Sequence, residues 1–153
     1  MRKYESYKLA FGMMKDALAK DCPLQVITIA ESILTDRLSS TLNVGRQKKA
    51  PKDTLGRVLN EWHPRKTGAS RNANSELFDA EMESLFPRLE AWWGERNMLL
   101  HGIAKSAQGE KPEIDAEDFI PRAMKAAKEG FALVRKIDAW TKRQIRNAEK
   151  TNI

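Results

Sequence analysis

A single cysteine, Cys22, leaves this chain without an intrachain disulfide or a multi-thiolate metal site. A reducing, cytoplasmic setting is the expectation that follows. Histidine is nearly as scarce, with only His63 and His101. Two imidazoles among scattered carboxylates make no ligand cluster, so neither a metal nor a cofactor is expected. Apolar runs are also short. None approaches the roughly 18–20 residues that a bilayer span needs. The opening stretch MRKYESYKLAFGMMKDALAK interleaves charge with apolar residues, so it reads as neither a signal peptide nor a membrane anchor. Eight Gly and six Pro are too few for a loop-rich sandwich, and most fall between periodic segments.

The residues that are abundant point to a charged helical domain. The chain has 153 residues, 41% hydrophobic and 31% charged, enough for one core with solvated helix faces. One domain over 1–153 is therefore expected. The net charge of +6 is unevenly spread: residues 46–71 carry eight basic and two acidic groups, and residues 122–150 carry nine and three. Residues 72–121 carry four basic against eleven acidic. Lys and Arg displace the counterions condensed on phosphates, so such basic stretches suit a polyanion such as RNA, although a solvated face would look the same.

Helical spacing dominates. Tyr4, Tyr7, Phe11, Met14 and Leu18 form one stripe over about 2–20, ended at Asp21-Cys22-Pro23. Leu24, Ile27, Ala30, Leu34, Leu38 and Leu42 continue it over 23–42. Residues 43–53 read as a basic loop, 54–62 as a short helix and 63–73 as a connection rich in Pro, Gly and Ser. Asn74 or Ser75 would cap a helix to about 84, with Pro87 marking a kink or a new start. A further helix runs to about 101, where Gly102 is the expected stop. After a loop over 105–114, Asp115 caps a last helix over 116–150. The expected class is all-α, an up-and-down bundle of four main helices plus a short one.

The stretch with the strongest local character is Trp92-Trp93-Gly94-Glu95-Arg96-Asn97-Met98-Leu99-Leu100-His101-Gly102. On a helix Asn97 and His101 share a face, and the long Arg96 side chain can swing toward them. A cation, an amide and an imidazole brought to one phosphate would suit phosphodiester transesterification. The histidine would move the proton of a ribose 2′-hydroxyl or of the leaving oxygen. The guanidinium would meet charge developing on phosphorus. Arg-x4-His arises by chance in about one chain in six of this length, whereas Arg-Asn-x3-His falls below about one in a hundred. Asn97 therefore carries most of the specificity.

With these residues the chain resembles the HEPN superfamily, whose ribonuclease members carry an Arg-x4–6-His motif, often with a polar residue directly after the Arg. Ile29 to Leu38 also resembles the second helix of such proteins. The resemblance implies a homodimer in which Arg96 and His101 of both copies line one cleft. It implies metal-independent RNA cleavage to a 2′,3′-cyclic phosphate, in a toxin–antitoxin, phage-defence or RNA-processing setting. One branch has a Tyr two residues after the His, which a nucleotidyltransferase antitoxin modifies. Ile103 stands there in this chain, which sets it apart from that pairing.

Several residues carry two readings. His101 could be a helix C-cap beside Gly102. Arg96 could pair with an acid of the second helix. Glu31 and Arg37 could form a structural ion pair, position His101 or contact substrate. Lys48, Lys49 and Lys105 are candidate RNA contacts. His63 reads as incidental, and Trp92 and Trp93 as core or dimer contacts. The rival functions are a non-catalytic RNA- or nucleotide-binding adaptor of the same fold, and a defence-system protein whose basic face docks on an acidic partner.

Overall fold

The computed structural model describes residues 3–42, 54–66, 78–107 and 114–151. Among them are five helices and no strand: α1 (Lys3–Ala19), α2 (Pro23–Leu42), α3 (Leu55–Lys66), α4 (Ala80–Ala107) and α5 (Ala116–Thr151). The class is all-α, four long helices and the shorter α3. No described helix is long and apolar enough to cross a membrane. The chain divides into two compact units, Met1–Glu31 with Ala91–Ala132 and Ser32–Glu90 with Leu133–Ile153. The division falls within α2, α4 and α5.

Four boundaries differ from the sequence expectations, among them the start of α4, which falls at Ala80 rather than near residue 75. α3 continues past residue 62 to Lys66, so 63–66 belong to a helix rather than to the connection. α4 is one helix of 28 residues, unbroken at Pro87 and not stopped by Gly102. Pro87 and Glu83, whose carbonyl loses its helical donor there, are both exposed, so water can take the missing N–H's place. Residues 105–107 are correspondingly helical rather than loop. The start of α4 is capped by Asp79, whose Oδ1 accepts from Met82 N at 2.9 Å. Asn74 and Ser75, the expected caps, lie outside the described residues, as do the basic loop 43–53 and residues 67–73 of the expected connection.

In the first unit α1 ends in a left-handed turn. Asp21 has φ 52°, Cys22 N donates to Ala17 O at 2.8 Å and Asp21 N to Leu18 O at 3.3 Å. Met14, Ala17, Val26, Ile27 and Ala30 of α1 and α2, Leu99 of α4, and Ala123, Ala126 and Ala127 of α5 are all buried. α4 and α5 run antiparallel here: Trp92 Nε1 donates to Ala126 O at 2.8 Å, and farther along Glu95 meets Arg122. A Cβ on Gly130 would come within 2.9 Å of the Trp92 ring, so the missing side chain is what admits the indole.

The second unit is built on aromatic rings. Trp62 and Trp140 are fully buried, with centroids 5.7 Å apart and planes at 68°. Phe78 lies 6.2 Å from Trp62 and 5.8 Å from Phe86. Asp79 joins the cap of α4 to this cluster, accepting from Trp140 Nε1 at 3.1 Å and Gln144 Nε2 at 3.0 Å. α2 and α5 run parallel, joined by Arg37–Asp138 and Thr41–Thr141.

Candidate functional site

The motif sits on the part of α4 that belongs to the first unit. Arg96 is held on three sides. Its Nε and Nη2 approach Glu31 Oε2 of α2 at 2.7 and 2.6 Å, and Nη1 donates to Asn97 Oδ1 at 2.9 Å. Its Cζ lies 5.0 Å from the centre of the Trp93 ring, within cation–π range. Both partners of the Arg96–Glu31 pair keep 20% of their side-chain surface in water. A guanidinium has five N–H donors, so these bonds leave one on each terminal nitrogen for a further acceptor. Asn97 spends its oxygen on Arg96, and its Nδ2 remains the donating end.

His101 follows Asn97 by one helical turn and is exposed. Because α4 extends to Ala107, His101 lies inside the helix, and the C-cap reading does not apply. Among the described residues His101 joins neither Arg96 nor Asn97 by a hydrogen bond or ion pair. The guanidinium turns toward α2 rather than toward the imidazole, so one copy of the motif does not by itself bring Arg96 and His101 together.

Beside this cluster lies a second pair that the sequence did not announce. Arg122 of α5 grips Glu95 with a two-pronged contact, Nε to Oε1 and Nη2 to Oε2, both at 2.8 Å. The hydrogen bond to Glu95 holds the guanidinium's ionisation above its usual range, with partial burial opposing it. Arg122 Nη2 also lies 3.0 Å from the sulfur of Met98, which is itself exposed. Glu95 and Arg122 are 27 residues apart with no shared motif, and only the helix pairing brings them together.

The remaining candidates fall elsewhere. Glu31 belongs to the site through Arg96. Arg37 is in the second unit, 9% exposed, with Nη2 2.7 Å from Asp138 Oδ1. The oxygen is off the N–H direction, making this an ionic contact more than an aligned hydrogen bond. Arg37 is thus committed to α5 and does not offer its charge to a substrate. Lys48 and Lys49 lie outside the described residues. Lys105 is within α4, its side chain undescribed. His63 contacts Glu90 at 3.4 Å in the second unit. Trp92 is core, as expected, while Trp93 is half-buried under Arg96. Among the described residues no three His, Cys, Asp or Glu side chains are grouped to hold a metal ion. Compared with family models, curated proteins and solved structures, the chain matches none.

Proposed function

We propose that this chain is a HEPN-like endoribonuclease that works as a homodimer without a catalytic metal, in a toxin–antitoxin or phage-defence setting, with tRNA among its candidate substrates. The observation that carries the reading is a guanidinium fixed by Glu31 and Asn97, yet a fifth open to water, on the same helix as an exposed imidazole. In the reaction the ribose 2′-oxygen bonds to phosphorus and the bond from phosphorus to the 5′-oxygen breaks. The products are a 2′,3′-cyclic phosphate and a 5′-hydroxyl. One His101 takes the 2′-hydroxyl proton and another supplies a proton to the leaving oxygen. Arg96 meets the added negative charge with its remaining N–H groups, and Asn97 Nδ2 can hold a phosphate oxygen.

A second copy fits the geometry because Arg96 and His101 do not converge within one. Ala91, Gly94, Met98 and His101 are exposed at steps of three, four and three residues along α4, the spacing of a helix–helix seam. Gly94 has open space where a Cβ would stand. Two α4 helices crossing near Met98 and His101 would bring two His101 side chains to one cleft.

The same pairing also favours a second reading. Glu31 already neutralises Arg96, as it would in a non-catalytic adaptor of this fold. Incubating the protein with tRNA and total RNA in EDTA separates the two, alongside His101→Ala and Arg96→Ala. Cleavage lost in both variants, with the dimer intact, supports the enzyme. A folded, dimeric wild type that cuts no RNA supports the adaptor.

A further inference from the structure

The C-terminal part of α5, in the second unit, carries Arg135, Lys136, Lys142, Arg143, Arg146 and Lys150, all exposed. At about 100° per residue these six fall within an arc of about 120°, and Arg135 to Lys150 spans about 22 Å of helix. The centre of the row is fixed in place. Lys142 binds Asp138 at 2.7 Å, Arg143 pairs with Glu81, and Arg146 Nε donates to Lys142 O at 3.2 Å. Arg135, Lys136 and Lys150 have no acidic partner among the described residues. Glu149 is the one exposed acid of this segment and lies at the margin of the arc.

We propose that this face is a docking surface for the phosphate backbone of RNA, read without sequence preference. It rests on the ribonuclease reading only for the identity of the polyanion. The chemistry of the face selects among acidic partners. A helix lying in a membrane surface must insert apolar side chains. Here Val134, Ile137 and Trp140 are fully buried in the core, and the exposed arc holds only Ala139 among apolar residues. An acidic protein would be expected to meet an apolar, charge-depleted centre, which this face lacks. A phosphate chain needs only aligned cations, because its binding is driven by release of condensed counterions.

The test uses the full chain carrying His101→Ala, so that binding is read apart from cleavage. Fluorescence anisotropy with a labelled 20-nucleotide poly-uridine RNA is measured in EDTA across a salt series. Adding R135Q/K136Q/K150Q, which leaves the ion-paired Lys142 and Arg143 alone, is expected to flatten the slope of log K against log salt by about 2, at about 0.7 per lost contact. Removing the same charge from α1, with K3Q/K8Q/K15Q, is expected to leave the slope nearly unchanged. An α5 triple variant that folds by circular dichroism and keeps the parent slope overturns the proposal. So does an equal loss from the α1 triple, which would make net charge the cause. Tighter binding to phosphatidylserine vesicles or polyglutamate than to RNA, lost in the α5 triple, also overturns it. If wild type cuts no RNA but the slope falls as expected, the ribonuclease reading fails and this one stands.

Discussion

Two arginine–carboxylate pairs tie α2 to other helices, and they are built for different ends. Arg37–Asp138, in the second unit, keeps 11% of either side chain in water. It sits beside Thr41, which donates to Arg37 O at 3.0 Å and lies 3.3 Å from Thr141. Arg96–Glu31, in the first unit, is nearly twice as exposed and borders Asn97, Trp93 and the turn that carries His101. Burial raises the consequence of losing a partner, because the remaining charge has no water to turn to. Exposure lowers that consequence and leaves donors free for another anion. The same two chemical groups therefore serve cohesion in one unit and an accessible charge in the other.

The largest effect should come from breaking the buried pair. Arg37→Ala leaves the Asp138 carboxylate in a nearly dry site with, among the described residues, only Lys142 to meet it, and should cost about 3–5 kcal/mol in urea unfolding. Replacing both partners, Arg37→Met with Asp138→Leu, should recover most of that loss. A single variant as stable as wild type would mean that the pair carries no cohesion, and the contrast would collapse. Arg96→Lys makes the opposite case. A lysine cannot reproduce the fork held between Glu31 and Asn97. Stability should fall by no more than about 1 kcal/mol for a partly solvated pair, whereas RNA cleavage, if the proposed function holds, should fall about a hundredfold. Equal losses of stability and cleavage would show that the exposed pair is structural after all.

Much of this was legible in the sequence, and the limits have physical causes. Helical spacing marked α2 to the residue and α5 to within one, because their apolar stripes are long and their starts carry Pro23 and Asp115. The Arg-Asn-x3-His pattern drew attention to α4 for the same reason that it is rare. Proline and glycine mislead: Pro87 suggests a kink or a new start and Gly102 a stop, while α4 runs unbroken through both. The partners of Arg37 and of Glu95 could not be read, because they are set by which helix faces meet, and spacing within one helix holds no record of that. Gly130 carried no signal either. Its role is visible only once the Trp92 ring lies over it.

That glycine gives the next prediction. Alanine is the better helix former by about 1 kcal/mol. At 130 its methyl would meet a buried indole at 2.9 Å, and the ring is held by its bond to Ala126 O. Overpacking should outweigh propensity, so Gly130→Ala should destabilise the protein by about 1–2 kcal/mol in thermal unfolding. A rise in stability would mean that the first unit yields easily around Trp92.

The smallest effect should run the other way. Asp21 closes α1 in a left-handed conformation that asparagine and aspartate tolerate but glycine adopts without penalty. Its negative charge also stands at the C-terminal end of α1, where the helix dipole disfavours an anion. Asp21→Gly relieves both, against the larger chain entropy that glycine loses on folding, and should stabilise by about 0.5 kcal/mol. Asp21→Ala removes the charge but keeps the left-handed backbone, and should be neutral or slightly destabilising. Asp21 makes no contact with the Arg96 cluster among the described residues, so under the proposed function RNA cleavage should match wild type in both variants. Stability that moves without cleavage at Asp21, and cleavage that moves without stability at Arg96, would together separate the framework of the first unit from the charge it exposes.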